Sequence, residues 1–569
     1  MEILILSNNH FFQIPISLEP LFNLSKLKIF DGEICTETES HYNSLTPKFQ
    51  LTSISLSGYI DGGTFPKFLY HQHDLMDANL SHLNLSGQFP NWLVENNTNL
   101  ETLLLTNNSL FESFRMPIHS HQHLVILDVS NNFFQGHIPV EIGTYLPGLI
   151  ELNLSRNAFN GSIPSSFADM QMLESLDISY NQLTGEIPER MATGCFSLEI
   201  LALSNNSLQG HIFSKKFNLT NLMRLQLDGN NFSGEIPESL SKCRLLGGLY
   251  LSDNNLFGKI PRWLGNLSAL EDIIMPNNNL EGPIPIEFCQ LDALKILDLS
   301  NNTIFGTVPS YFSPAYIEQV HLSKNKIEGR LESIIHDSPY LVTLDLSYNR
   351  FHGSIPNWIN ILPQLNYLIL AHNYIKGEIP VQLCQLKEVQ LIDLSHNNLS
   401  GHIPPCLVNT SLSEGHHEAV APTSCSCGRA SGYASSYTKT ALNATATPTS
   451  SSCGRGYPYA RDYVGPRTPP MGKEETVQFT TKNVSYYYQG RILTSMSGID
   501  LSCNKLTDRV AQFSTFEEDS YEGNPFLCGW PLSKSCDDNG LTTVTTEADT
   551  ENEEGPDESK MQATRLHFK

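Results

Sequence analysis

The phrase Leu-x-x-Leu-x-Leu-x-x-Asn recurs along this chain with its asparagine at 108, 132, 157, 181, 206, 230, 254, 278, 302, 325, 349, 373 and 397, a step of 23 to 25 residues. Self-similarity at such a period means stacked units rather than one closed globule. Leucines at i, i+3 and i+5 place a short strand whose leucines turn inward while the residues between them face out. One unit cannot bury its own leucines; stacked neighbours share a continuous core. Each asparagine turns the chain out of its strand, and its amide can bond the backbone of adjacent coils as a ladder. Weaker copies lie around Leu51–Tyr59, Leu75–Leu83 and Met496–Asn504, and "MEILILSNN" begins inside another. About eighteen copies can be counted. Stacked at about 4.8 Å each, they give a parallel sheet on the order of 80 Å along its arc.

Bulk properties narrow the function. The 569 residues are 40% hydrophobic, enough for a large core, and carry a formal net charge of −24. Nine acids lie between Asp537 and Glu558, yet the remainder is still acidic. Nucleic acid and anionic membrane surfaces are therefore poor partners, because phosphates need Lys and Arg to replace their counterions. No run approaches the roughly 18 apolar residues of a membrane helix. Glu2 stands where a signal peptide wants positive charge. Sixteen Asn-x-Ser/Thr sequons and twelve cysteines nonetheless point to an extracellular life, although the repeat itself fixes Asn and Ser in phrases such as "LNLS" at Asn153.

The repeat continues as Asn-x-Leu-x-Gly-x-Ile-Pro, in "NQLTGEIP" (181–188), "NNFSGEIP" (230–237) and "NYIKGEIP" (373–380). Nine copies hold Gly-x-Ile-Pro strictly, with "GQFP" and "GTVP" as variants. Gly permits the turn geometry and Pro presets φ. Over about three quarters of its length the chain resembles a plant-type leucine-rich-repeat ectodomain. That resemblance implies an α/β solenoid, a right-handed curved superhelix with its parallel sheet on the concave side. Between Pro405 and Arg491 the leucine pattern lapses, and "EAVAPTSCSCGRASGYASSYTKTALNATATPTSSSCGRG" has a loop composition. Val477, Phe479 and Thr481 then alternate as in a strand. Such an island ending in a Tyr-rich segment and "MSGIDLS", with the terminal "YEGNPFLCGWPLSKSC", resembles kinase-less plant receptor-like proteins of the pathogen-elicitor-receptor type.

The resemblance divides the chain into leucine-rich repeats over 1–404 (about 17), an island over 405–490, a partial repeat over 491–509, a C-terminal cap over 510–536 and an acidic tail over 537–569. It implies that Cys528 and Cys536 form the cap disulfide. In the family several repeats separate island from cap, whereas here "LSCNKL" runs directly into "TDRVAQFSTFEEDSYEGNPF". Roughly three repeats are expected to be missing, through exon loss or a faulty gene model, together with the signal peptide, N-terminal cysteine cap and membrane helix.

No catalytic signature is found: no Gly-x-Ser-x-Gly elbow, phosphate-binding glycine loop, His-Glu-x-x-His or kinase motif. The chain reads as a non-enzyme with no cofactor and no metal site. His416, His417 and Glu418 read first as a solvated polar run and second as metal ligands. Cys425, Cys427 and Cys453 are an odd group, equally consistent with unpaired thiols and part of a zinc site. Cys195 with Cys243, and Cys289 with Cys384, are two and four repeats apart, beyond disulfide range, so all four are expected as free thiols.

Binding is the remaining function, and the outward strand positions are where it would occur. Their default is Asp before the last leucine and Ser after it, as in "LDLS" at 297–300 and 344–347. Departures cluster at Arg224, Gln226, Tyr250, Asp272, Ile274, His321, Lys324, Tyr367, Ile369 and His372. Drift on a solvated sheet is the plainer reading of any one of them; as a cluster they read equally as a ligand surface exposing aromatic and Arg anchors. Glycosylation is expected at Asn23, Asn79, Asn153, Asn205, Asn218, Asn231, Asn266, Asn301, Asn443 and Asn483. The resemblance implies a cell-surface ectodomain in defence or development that binds a peptide, glycan or protein elicitor. It also implies signalling through adaptor and co-receptor kinases, with this form unable to signal alone. The alternative is a soluble extracellular inhibitor of microbial cell-wall hydrolases, of the polygalacturonase-inhibitor type.

Overall fold

A computed structural model describes residues 1–6, 19–36, 46–60, 62–214, 216–310, 312–334, 338–404, 407, 476–481, 484–489, 498–507 and 523–527. Each Leu-x-Leu segment forms a short strand, such as Arg224–Gln226, Gly248–Tyr250 and Asp272–Ile274. Successive strands pair in parallel and in register, Arg224 beside Gly248 and Gly248 beside Asp272, building one eighteen-stranded sheet. This is the sheet expected on the concave side, and its strands follow chain order.

Phasing is confirmed by the core. Leu222, Leu225 and Leu227 are fully buried, as are Leu246, Leu249 and Leu251 one coil on. After each ladder asparagine the Asn-x-Leu-x-Gly stretch pairs again, in a second sheet of fifteen strands that the leucine pattern alone did not announce. Gly185 ends its strand at φ 83°, a left-handed conformation that residues with a Cβ rarely adopt. The proline that follows the Ile anchor opens a five-residue 3-10 helix on the outer side, for example Pro237 before Glu238–Lys242 and Pro285 before Ile286–Gln290. Its φ of −72° and −62° at these two sites is the value its ring imposes.

The asparagine ladder takes the form the sequence suggested. Asn278 Nδ2 donates to the Leu251 carbonyl of the preceding coil (2.8 Å) and to Pro276 O of its own (3.1 Å). Its Oδ1 accepts from Leu256 N–H at 3.0 Å. The same pattern runs through Asn132, Asn181, Asn230, Asn302 and Asn373. Backbone groups that a coil leaves unpaired at its turn are thereby satisfied in the interior.

The insertion does not break this order. Strand Gly498–Asp500 pairs directly with Leu391–Asp393 across more than a hundred residues of chain. Asn504 donates to Leu394 O and accepts from Leu399 N–H, as the next rung should. Asn524, from "EGNPF", then takes the following rung: it accepts from Leu506 N–H (3.1 Å) and donates to Leu501 O (2.9 Å). Within the insertion, Val477, Phe479 and Thr481 lie in strand Thr476–Thr481, paired antiparallel with Val484–Gln489. His416, His417, Glu418, Cys425, Cys427, Cys453, Cys528, Cys536 and the sequons at Asn443 and Asn483 lie outside the described residues.

The cysteines require one correction. Cys195 and Cys243 are buried thiols outside any disulfide, donating to Phe167 O and Leu219 O, and Cys289 is likewise not disulfide-bonded. Burial pushes the Cys195 and Cys243 thiols up to about 12, which keeps them unreactive. Cys384, expected to be reduced, is disulfide-bonded. The exclusion of a 289–384 pair stands, since Cys289 is in no disulfide; the partner of Cys384 lies outside the described residues.

Candidate functional site on the concave face

In-register stacking converts outward positions into columns. One runs through Arg224, Gly248, Asp272, Ile296, Gln319, Thr343, Tyr367 and Leu391. Its neighbour runs through Gln226, Tyr250, Ile274, Asp298, His321, Asp345, Ile369 and Asp393. Arg224, Gln226, Tyr250, Asp272 and Ile274 therefore meet on three adjacent strands. His321, Tyr367 and Ile369 form a second group farther along. Lys324 and His372 sit in a third column, just before the ladder asparagines.

The first group is built around a glycine that the sequence reading passed over. Gly248 leaves a gap in its column, and the Tyr250 ring lies over it: a Cβ there would stand 2.6 Å from Tyr250 Cε2. From that position the Tyr250 hydroxyl donates to Asp272 Oδ2 on the next strand. The Arg224 guanidinium approaches the same ring from the other side, 5.9 Å from its centroid. Tyr250, Ile274 and Ile296 close into a small apolar cluster of their own. Burial raises the pKa of Asp272, opposed by the Tyr250 hydrogen bond and the nearby Arg224 charge. Arg224 is half-buried and makes no ion pair among the described residues.

Two expectations fail here. Tyr250 was read as solvent-facing, yet it is 5% exposed, because the glycine lets its ring lie flat along the sheet. Ile274 is buried in the same cluster. The second group is more deeply covered: Tyr367 is 2% exposed and Ile369 1%, with His321 also buried. Tyr367 donates to Gln390 Oε1 at 3.1 Å. These residues are part of a buried surface and do not line an open one. Lys324 and His372 are half-buried. His372 is sandwiched between Tyr348 (4.1 Å between ring centroids) and His396 (3.9 Å). The open portion of the predicted site is thus Arg224, Gln226 and Asp272, supported by Tyr250. Tyr250→Ala is accordingly expected to destabilise the fold by about 2–4 kcal/mol in urea melts, as loss of a buried aromatic does. Arg224→Ala should leave the midpoint within about 0.5 kcal/mol.

The default positions are structural for a definable reason. In "LDLS", Asp298 Oδ1 accepts from both the N–H (3.0 Å) and the hydroxyl (2.7 Å) of Ser300, and Asp345 does the same with Ser347. Asp393 repeats the motif under full burial, which with Asp500 on the adjoining strand pushes its carboxyl up to about 7. Folded protein therefore holds a proton that the unfolded chain releases above its ordinary value of about 3.9. Stability from this group is greatest below that value and is lost as pH rises through 7. Asp393→Asn should raise the unfolding free energy at pH 8 by a few kcal/mol (roughly three pKa units at about 1.4 kcal/mol each) and change little at pH 4. His372 acts in the opposite sense. Burial and His396 lower it to about 4, so its contribution is lost as pH falls from about 6.5 through 4.

The sequons separate by geometry. Asn23, Asn205, Asn218, Asn231, Asn266 and Asn301 are exposed, while Asn79 and Asn153 are half-buried on the sheet. Asn153 serves as a default aspartate would, accepting from the Ser155 N–H and hydroxyl and donating to Asp128. Glycopeptide mapping of secreted protein is expected to find sugar on Asn218 and Asn266 and none on Asn153. Among the described residues no helix is long and apolar enough to cross a membrane, and no cluster of three or more metal-ligating side chains occurs.

Comparison with known proteins agrees with this architecture. Leucine-rich-repeat family models match residues 122–183 and 339–399, and again 221–243, 246–267 and 293–315. Receptor-like protein 14 of Arabidopsis thaliana is 43% identical over 159 residues, covering 27% of this chain and 16% of that relative. The matched stretch thus spans under a fifth of the relative's length. Among solved structures, that of PEPR1–AtPEP1 is 28% identical with a TM-score of 0.56, covering 68% of this chain and 54% of that one. The plant peptide hormone receptor RGFR1 in complex with RGF2 is 26% identical with a TM-score of 0.50, covering 69% and 74%. The chain folds as a leucine-rich-repeat solenoid and, over the matched stretch, is similar to plant receptor-like proteins.

Proposed function

We propose that this chain is a ligand-binding ectodomain that takes an extended peptide on its concave face, of a class of plant cell-surface receptor whose intact members act through partner kinases. The observation that carries the reading is Arg224, a guanidinium that makes no ion pair among the described residues, held beside the Tyr250 ring on an otherwise acidic protein. Such a group binds carboxylates in preference to other side chains. A peptide lying across the strands would set an acidic side chain or its C-terminal carboxylate on Arg224, and hydrogen-bond to Gln226 and Asp272. RGFR1, a structural neighbour described as a peptide hormone receptor, supports the ligand class. Selection of displayed random dodecapeptides on the immobilised full chain tests it. Recovered peptides should share a carboxylate and lose binding about a hundredfold to Arg224→Ala, the size of a charge-assisted contact. Peptides that bind Arg224→Ala as well as the parent chain contradict the reading.

The same proposal includes a limit. The resemblance assigns co-receptor contact to repeats between island and cap, but here Asn524 of the cap follows Asn504 on the ladder. With those coils missing, the chain binds ligand without engaging a kinase. Expressed in plant cells with a selected peptide, it should give no kinase-dependent response. A response would overturn this part alone.

A further inference from the structure

The N-terminal coils hold a cavity of about 350 Å³ at the rim where the main sheet gives way to the second sheet. Its floor includes two ladder rungs, Asn108 and Asn132, whose amides are spent on backbone groups of their own and preceding coils. Above them stand groups with hydrogen-bonding capacity to spare. Asn131 donates to Asn107 Oδ1, and Asn107 donates toward His82 Nδ1 at 2.8 Å, in a chain that leaves Asn131 Oδ1 without a bond among the described residues. Asn84 accepts from the Ser109 hydroxyl at 3.2 Å and keeps its own Nδ2 donor unspent among those residues. Asn84 also adopts φ 60°, a left-handed conformation that its equivalents Ser109 and Phe133 in the following coils do not share. Outliers of this kind are costly for residues with a Cβ and concentrate at functional sites.

Two aromatic rings flank this floor, and neither is packed. Tyr59 is 57% exposed and Phe133 is 64% exposed, although the chain buries most of its phenylalanines. They lie three coils apart, roughly 14 Å at a strand spacing of about 4.8 Å. No carboxylate, ammonium or guanidinium group lines the cavity. A charged ligand would therefore find no countercharge. A neutral sugar fits each feature. Its C–H face stacks on an aromatic ring, and pairs of adjacent hydroxyls match the planar donor and acceptor of an amide. We propose that Tyr59, Phe133 and the amides of Asn84, Asn107 and Asn131 form a site for a short neutral oligosaccharide. It is separate from the Arg224 surface, which lies about four coils, roughly 19 Å, farther along.

Asn84 and Asn107 are themselves sequon asparagines, in Asn84-Leu85-Ser86 and Asn107-Asn108-Ser109. Sugar attached there would occupy the cavity, so the test uses full-length protein produced without N-glycosylation, its unmodified asparagines checked by mass spectrometry. Calorimetric titration compares cellotetraose and chitotetraose with tetragalacturonate and a tetraalanine peptide. At least one neutral tetrasaccharide should bind. Tyr59→Ala and Phe133→Ala should each weaken it by about tenfold or more without moving the melting temperature, and Arg224→Ala should leave it unchanged. The proposal is overturned by absence of neutral-sugar binding at millimolar concentration, or by tighter binding of tetragalacturonate or peptide. Affinity that survives loss of both rings, or binding lost on Arg224→Ala, overturns it too.

Discussion

Asn278→Ala is expected to lower the stability of the folded chain by about 3 kcal/mol, with no change in the ligand surface. The alanine leaves the buried Leu256 N–H without its acceptor and takes one of two donors from the carbonyls of Leu251 and Pro276, which keep Asn254 Nδ2 and Asp253 N–H. The stranded donor costs about 1–3 kcal/mol and the lost carbonyl bonds add about 0.5–1.5 kcal/mol each, which sets the total at about 3 kcal/mol. Urea unfolding measures it. Because each coil contacts its neighbours alone, the loss should appear as a separate early transition in the coils around 251–302 rather than a uniform shift. Asn524→Ala, at the last described rung, removes bonds to Leu506 and Leu501 and has one neighbouring coil among the described residues instead of two. Its transition should be smaller and confined to the C-terminal coils. Equal effects at both positions would mean that the ladder is not a chain of local couplings.

Phe288→Ala is the second large effect, about 3–5 kcal/mol by the same measurement. Phe288 is fully buried in the 3-10 helix Ile286–Gln290. The cost of a cavity depends on how far its walls can collapse. Here they cannot: a Cβ on Gly265 in the preceding coil would meet the Glu287 backbone at 2.4 Å, so the coils already touch main chain to main chain. Phe288→Leu, which fills most of the volume, should recover more than half of the loss. A small penalty for the alanine would show that adjacent coils slide to fill the space, and the rigidity argued for the stack would fail.

The repeat was legible because each of its residues has a single physical task. Leucine phase, the asparagine ladder and the Gly-x-Ile-Pro turn recur with a period that no other fold produces, and each appears in the structure at its expected place. The site was less legible, for reasons that particular residues make clear. Sequence phase says that Tyr250 and Tyr367 project from the outer side of the sheet; it does not say what lies beside or over them. At Tyr250 a signal existed, since Gly248 two residues earlier on the same face left room for the ring to lie down. At Tyr367 and Ile369 no local signal distinguishes a buried face from an open one. The free state expected for Cys384 failed differently. The spacing argument compared it with one cysteine four coils away, and that comparison was sound but too narrow. Asn153 shows the reverse: beside its sequon the structure gives it a second task, as a stand-in for the default aspartate.

Hydrogen exchange of the full chain, with and without a selected carboxylate-bearing peptide, tests the central claim most directly. Without peptide, amides of the strands should be protected at intervals of about 24 residues, with protection passing from Leu391–Asp393 straight to Gly498–Asp500. With peptide, added slowing should fall on Arg224–Gln226, Gly248–Tyr250 and Asp272–Ile274, and the buried face at Thr343–Asp345 and Tyr367–Ile369 should not change. Slowing confined to the 3-10 helices or the second sheet, or fast exchange at Gly498–Asp500, would contradict the account.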